Sequence, residues 1–283
     1  MNIGFSSNAF TNYSLINSIE IISKIGYDGI EIVLDEPHAF LPLQKNEITK
    51  IKYSLSKNNL LVSNLNANTV LGWKNDFNGE KFEPSLSNSN QKLRSWRIDY
   101  TKQAIDLAHI LNSKSICITS GLNTMENTME NTVENTEQCF QLFQDSLIDL
   151  CEYAEKKNVL IAIEYEPYLL VDNSEKVLKL LSNDFKNIGL NFDTCHAEVT
   201  KENLSKIISS FEKNIFHTHI SDCKNNVHFH LIPGLGDIDF KEMYDSLKKI
   251  GYDEYLTAEL YPYSDNPEDA ASKAFIYLKN LMN

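Results

Sequence analysis

The chain has 283 residues, 42% of them apolar and 23% charged, with a formal net charge of −13 at pH 7 and a pI of about 5.0. That length can bury a large core without disulfides, and the negative field repels polyanions, which excludes nucleic acid as a first choice of partner. No apolar run approaches the roughly 18 residues that cross a bilayer, the N-terminus MNIGFSSNAF lacks the regions of a signal peptide, and five widely spaced cysteines without a CxxC pair read as reduced cytoplasmic thiols.

Along the chain, short β-branched runs alternate with longer amphipathic stretches. The strands are expected at Asn2–Ser6, Gly29–Leu34, Leu60–Leu65, Ser115–Thr119, Val159–Glu164, Ile188–Asp193, Ile215–Ser221 and Tyr255–Leu260. Runs such as VLIAI and IGLNF are nearly continuous in apolar residues, as in parallel strands covered on both faces. Helices are expected at Leu15–Ile25, Glu47–Lys57, Ser95–Leu111, Gln138–Lys157, Ser174–Leu181, Leu204–Phe211, Phe240–Ile250 and Pro267–Leu281. Gly26 and Gly251 suit left-handed caps between helix and strand.

Eight such units predict an α/β fold, a (β/α)8 TIM barrel in a single domain over 1–283. The alternative is an open doubly wound sheet, but no GxGxxG follows the first strand. Two insertions break the pattern, at about 72–91 and 122–137. The first is rich in Asn and Ser, and the second contains MENTMENTVENTE. Both read as low-complexity surface segments, with a lid over a pocket as the alternative.

Catalytic groups of such a barrel project from the C-terminal ends of its strands. The fifth strand ends in Glu164, with Glu166 two residues on and on the same face. A carboxylate ending a buried run needs a cation or hydrogen-bond donors. The sixth ends in Asp193, with His196 three residues later. The seventh carries His217 and His219 on one face, and the eighth ends in Glu259. Five of the seven histidines fall between 196 and 230, which suggests a metal or proton-transfer site. The first strand ends near Asn8, the second carries Glu31, and the third ends in Asn66 and Asn68. Asn66 and Asn68 suit either sugar-like hydroxyls or turns.

The ordered set resembles the xylose isomerase-like TIM-barrel superfamily, in particular its sugar (phosphate) isomerase/epimerase branch, which includes the ketose 3-epimerases. The resemblance covers nearly the whole chain. It rests on IEYEP around Glu164, DTCH at 193–196, HTHISD at 217–222, HLIPGLGDID at 230–239 and AEL at 258–260. It implies that Glu164, Asp193, His219 and Glu259 ligate one divalent metal ion. Mn²⁺ is the first choice, with Mg²⁺, Co²⁺ or Zn²⁺ as alternatives. It further implies catalysis by Glu164 and Glu259 through a metal-stabilised enediolate. His196 would contact the substrate, and Glu166, His217 and His230 would shape its pocket or support the metal ligands from behind. The substrate would be a small polyhydroxylated α-hydroxycarbonyl compound, and a homo-oligomer is compatible. Ketose 3-epimerases carry a further glutamate where this chain has Leu170, and an arginine where it has Asn or Lys near 225.

Three other functions compete. An inosose-like substrate would turn the same enediolate chemistry into dehydration. Phosphoester hydrolysis, as in the AP endonucleases, needs a zinc cluster and histidines on the early strands. Here His38 lies past the second strand and His109 inside a helix. A binding subunit without activity is the third. Only two arginines, Arg94 and Arg97, are present, which disfavours a phosphorylated substrate.

Overall fold

The apolar runs pair edge to edge until no edge remains. In the computed structural model, which describes residues 1–73, 80–122, 133–183 and 185–283, the strands are β1 (Asn2–Ser6), β2 (Gly29–Val33), β3 (Leu61–Asn66), β4 (Ser115–Ile118), β5 (Leu160–Ile163), β6 (Ile188–Asp193), β7 (Ile215–Ile220) and β10 (Tyr255–Ala258). They are parallel and close in the order β1-β10-β7-β6-β5-β4-β3-β2. Closure leaves no unpaired sheet edge. The expected barrel is therefore the observed one.

The helices are α1 (Leu15–Ile25), α2 (Lys45–Lys57), α3 (Gln91–Leu111), α4 (Val133–Glu155), α5 (Ser174–Leu181), α6 (Thr194–Val199), α7 (Leu204–Phe211), α8 (Phe240–Lys249) and α9 (Pro267–Met282). Most cover the outer face of the barrel with apolar stripes, such as Ile19 and Ile22 of α1 and Met243 and Leu247 of α8. Gly26 caps α1 at φ 114° and Gly251 follows α8 at φ 77°, both in the left-handed region. Among the described residues, no helix is long and apolar enough to cross a membrane. All five cysteines are buried and none forms a disulfide.

Beyond the short helix α6, which was not expected, and shifts of a residue or two at element ends, the structure departs from the sequence expectation in four places. The helix α3 begins at Gln91, because Asn90 accepts hydrogen bonds from Lys92 and Leu93 N–H. The helix α4 begins at Val133, so the end of the expected 122–137 insertion is helical. The rest of that repeat, 123–132, lies outside the described residues. Residues 80–90 of the other insertion are not a loose surface segment. Phe82, Glu83, Ser85, Leu86 and Ser87 are buried there. The Glu83 carboxylate accepts from Ser85 N–H at 2.8 Å and Asn88 Nδ2 at 2.7 Å, which ties the segment to itself.

The fourth departure is a two-stranded hairpin, β8 (Asp222–Lys224) and β9 (Val227–Leu231), antiparallel and outside the barrel. Its turn is Asn225–Asn226, with φ 54° and 57°, the pair of left-handed residues that a type I′ turn requires. Asp222 anchors the hairpin to the segment after it. Its carboxylate accepts from the backbone N–H of Cys223, Gly234, Gly236 and Ile238, at 2.9, 2.8, 2.8 and 3.2 Å. A Cβ on Gly236 would lie 2.3 Å from Asp222 Oδ1, so only glycine admits this approach.

Asp222→Ala strands four backbone N–H groups at once, one of them buried and three partly buried. We expect a loss on the order of 3 kcal/mol in urea unfolding. A change within about 0.5 kcal/mol, the ordinary range of surface substitutions, would show that the clamp is dispensable.

Candidate active site

Four strand ends converge at the C-terminal mouth of the barrel. Glu164 follows β5, Asp193 ends β6, His219 lies on β7 and Glu259 follows β10. The backbone N–H of Glu164 still bonds Ile118 O at 2.9 Å, and that of Glu259 bonds Ile220 O at 3.2 Å. Both carboxylates are thus held by the sheet although they lie one residue past its strands. One ligand-type atom from each of the four residues falls within 4.8 Å of all the others. His219 Nδ1 is 3.0 Å from Glu164 Oε1, 3.5 Å from Glu259 Oε2 and 3.9 Å from Asp193 Oδ2. All four side chains are buried.

A second layer of polar groups holds this cluster. Glu31, fully buried on β2, lies 2.7 Å from His219 Nε2 and accepts from Asn64 Nδ2 at 2.8 Å and Asn66 Nδ2 at 3.3 Å. Asn191 Nδ2 and Asn68 Nδ2 both donate to Glu164 Oε2, the former at 3.0 Å. Asn8 Nδ2 donates to Glu259 Oε1 at 2.9 Å. Glu164 and Glu259 therefore each have one oxygen held by side-chain amides and the other turned towards His219.

Glu31, Asn64 and Asn191 were not singled out as site residues from the sequence. Inter-strand register shifts fall between Ile30 and Glu31 and between Leu190 and Asn191. Such irregularities re-aim side chains. The available signal was a charged or amide residue inside an otherwise apolar run, which burial makes costly unless it is paired.

The electrostatics follow from this crowding. Burial opposes any charge on His219, but Glu164, Glu259 and Glu31 outweigh it and hold the imidazolium well above the usual histidine range. Burial likewise opposes the Glu164 charge, and His219 and His196 overcome it, bringing that carboxyl down to about 2. Glu259 is left with burial and its carboxylate neighbours, which push it up to about 7. Burial also raises Asp193. His196 is disfavoured as a cation by burial but raised to about 9 by Asp193, Glu166 and Glu164.

A cavity of about 220 Å³ opens onto the cluster, with Asn8, Asn66, Asn68, Glu164, Glu166, His196, His230 and Glu259 in its wall and Lys81, Phe82 and Tyr261 nearer the loops. Of the residues assigned to substrate from the sequence, five line it. His217 does not. Its ring lies beside that of His219, centroids 5.4 Å apart, with Nε2 3.5 Å from Glu31, beneath the cavity. Asn66 lines the wall, but its Nδ2 reaches Glu31 and its Oδ1 accepts from Asn68 N–H at 3.1 Å. A larger hollow of about 750 Å³ lies among Asn2, Leu61 and Tyr255, where β1, β3 and β10 begin. Of its charged groups Lys52, Lys114 and Glu254, the last two pair with each other, and no carboxylate–imidazole cluster faces it among the described residues.

Comparison with known proteins agrees with this architecture. A family model for xylose isomerase-like TIM barrels matches residues 19–281. A fructoselysine 3-epimerase of Shigella flexneri is 26% identical over 266 residues, covering 92% of this chain and 90% of that protein. The crystal structure of a 3-keto-D-glucoside 4-epimerase from E. coli superposes with a TM-score of 0.79 at 17% identity over 99% of both chains. The IolI protein, solved with a bound zinc atom, superposes with a TM-score of 0.79 at 22% identity, covering 99% of this chain and 98% of that one. The likeness in fold and the strand-end cluster point the same way as the family match, and the chain belongs to the xylose isomerase-like TIM-barrel family.

Proposed function

We propose that the protein is a divalent-metal-dependent isomerase or epimerase acting on a sugar or related α-hydroxycarbonyl compound. One observation carries this reading. Glu164 and Glu259 approach the same nitrogen, His219 Nδ1, from strands three places apart around the barrel, and both face one cavity. Two carboxylates on different sides of one substrate position are what proton removal and return at carbon require. The epimerase relatives support the same class of reaction.

The donor set fits a cation. Asp193 caps α6 through Oδ1, which accepts from His196 N–H at 2.8 Å, but its buried Oδ2 accepts no hydrogen bond. An unpaired buried carboxylate oxygen is costly, and a bound cation removes that cost. Glu164, Asp193, His219 and Glu259 would hold the ion. Three carboxylates and one imidazole suit Mn²⁺ first, then Mg²⁺ or Co²⁺, and the IolI structure, which holds a zinc atom, is in keeping with a divalent ion. When bound, such an ion supplies Lewis acidity that makes the carbon beside a substrate carbonyl more acidic.

The proton work falls to the chain. One of the two carboxylates takes the proton from the hydroxyl-bearing carbon. The other returns a proton, to the opposite face for epimerisation or to the neighbouring carbon for isomerisation. Asn8, Asn68 and Asn191 keep both carboxylates aimed by holding their other oxygens. The Oδ1 atoms of Asn8 and Asn68 are buried beside the cavity without a partner. Each is an acceptor for a substrate hydroxyl. A volume of about 220 Å³ is below the range of about 300 Å³ and up for drug-sized ligands, in keeping with a small polyol.

We expect Glu259→Gln and Glu164→Gln to lower turnover by about 10²–10⁴-fold while melting behaviour stays near wild type. Solvent-deuterium exchange into a panel of ketoses and inososes is the direct assay. Turnover without label at carbon would sink the proton-transfer reading, and loss of water from the substrate would move it to lyase chemistry at the same carboxylates.

Metal binding should also release protons. Glu259 keeps a proton below about pH 7 and His219 holds one more tightly, and both must lose them to become ligands. Affinity for Mn²⁺ should therefore rise as pH increases through 7. Calorimetric titration in buffers of different ionisation enthalpy should detect that release, and a pH-independent affinity would contradict it.

A further inference from the structure

We propose that Arg97 is a positioning residue of the active site: its buried guanidinium fixes the backbone that delivers Asn68 to Glu164. The inference rests on the isomerase reading, in which Glu164 moves a proton, and adds to it a part contributed from the outer layer of helices.

Arg97 lies on α3, and its side chain is buried. Its Nη2 donates to two successive backbone carbonyls, Ala67 O and Asn68 O, the latter at 3.0 Å. Thr119, just past β4, adds a longer contact to Asn68 O at 3.5 Å. The Nε and Nη1 atoms of Arg97 have no hydrogen-bond partner. Burial disfavours the charge and lowers the Arg97 pKa, and the nearby Tyr100, Glu83 and Asp35 oppose this only in part. A buried cation that is half satisfied is a poor stabilising device, because an apolar side chain of similar volume would fill the space at less cost. What the guanidinium does supply is a charge-assisted grip on two adjacent peptide units.

Those two units are where the chain leaves the sheet. Ala67 N–H still bonds Cys117 O at 2.9 Å, which continues the pairing of β3 with β4. Asn68 N–H instead turns back to Asn66 Oδ1 at 3.1 Å. Beyond it the buried Asp35 carboxylate takes over, accepting from Thr69 Oγ1 at 2.6 Å and from Leu71 and Gly72 N–H at 2.8 Å each. The segment 67–72 is thus gripped at its start through carbonyls by a cation, and at its end through N–H groups by an anion. Asn68 is the residue of this segment that reaches the reacting groups. Its Nδ2 donates to Glu164 Oε2, and its Oδ1 stays free in the cavity wall. A shift of the Asn68 peptide therefore passes directly to the carboxylate, and a misplacement of about 1 Å can cost about 10²-fold in rate.

The chain has one other arginine, Arg94, a turn earlier on α3, and its Nη1 donates to Asn88 O at 2.6 Å. Both arginines hold backbone carbonyls of the connection between β3 and α3. Only the grip of Arg97 leads to a side chain in contact with Glu164.

The test joins a mutant cycle to a spectroscopic signal from Asn68 itself. In full-length, isotope-labelled protein with Mg²⁺ present, the Asn68 side-chain amide is the NMR signal absent from Asn68→Ala. Arg97→Met should move that signal towards the position of a solvent-exposed asparagine. It should also lower the rate of deuterium exchange into the best panel substrate by about 10–10²-fold. Arg97→Lys keeps a cation with donors and should fall between Arg97→Met and wild type in both readouts. In the Asn68→Ala background, Arg97→Met should cost nothing further, because the effect runs through Asn68. An unmoved amide signal in Arg97→Met, unchanged turnover, or losses that multiply in the double variant would each overturn the proposal. Arg97→Gln, also neutral, replaces Arg97→Met if that protein does not fold, with the same expected outcomes. Failure of the isomerase reading would appear differently, as wild type with no label exchange on any substrate. The amide signal would then still decide whether Arg97 places Asn68.

Discussion

His219 is engaged at both ring nitrogens, with Glu31 at 2.7 Å on Nε2 and Glu164 at 3.0 Å on Nδ1. These carboxylates belong to different sides of the barrel, Glu31 to β2 and Glu164 to the end of β5. The pair of contacts can form only when the sheet is closed and in register. Once formed, they leave the imidazole no free rotation, and the positions of Glu259 and Asp193 are read against a fixed ring. Glu31 is also tied to two asparagines of β3, Asn64 and Asn66. The layer under the cavity is thus a polar network centred on Glu31 and His219, where most barrel layers are branched aliphatic side chains.

That network concentrates negative charge. Glu31, Glu164, Asp193 and Glu259 are all buried within reach of one imidazole. Without a cation the cluster stays tolerable only by distributing protons, which is why burial and mutual repulsion raise Asp193 and Glu259 while His219 remains charged. The arrangement is poor as a stabilising device, because apolar side chains would serve the core better. Its retention at the mouth of a barrel, next to a cavity, is the physical reason to read it as functional.

The first set of site residues was legible because each breaks a pattern. Glu164, Asp193 and Glu259 close apolar runs, and His219 shares a strand face with a second histidine. The supporting set was less visible. Glu31 and Asn191 lie within their runs, at register shifts between neighbouring strands that a single-strand period cannot reveal. The hairpin carrying His228 and His230 has a turn signal, Asn225–Asn226, but its strands are short and only partly buried, so periodicity is faint. The buried segment 80–90 reads as polar because its serines and Glu83 satisfy one another by hydrogen bonds, which composition does not disclose. His217 takes the second of its two expected places, behind the cluster rather than in the cavity wall. Sharing a face with His219 places it in the barrel interior, and depth along the strand then puts it below the cavity, against Glu31.

The asparagines change what selects the substrate. Asn66 is committed to Glu31 and to the Asn68 backbone, and Asn8 and Asn68 give their amide hydrogens to Glu259 and Glu164. In the proposed reaction their remaining oxygens would accept hydroxyls close to the reacting carbon and say little about the rest of the molecule. Leu170 is fully buried and Asn225 occupies the hairpin turn, so neither position where the ketose 3-epimerases have charged groups supplies one to this cavity. Under the proposed function, recognition of the distal end of the substrate would rest on the loop residues that line the cavity: His38 after β2, Lys81 and Phe82 before α3, and Tyr261 after β10. In the proposed reaction, chemistry is built on the rigid strand ends and selection on the loops, the division of labour usual in barrels of this kind.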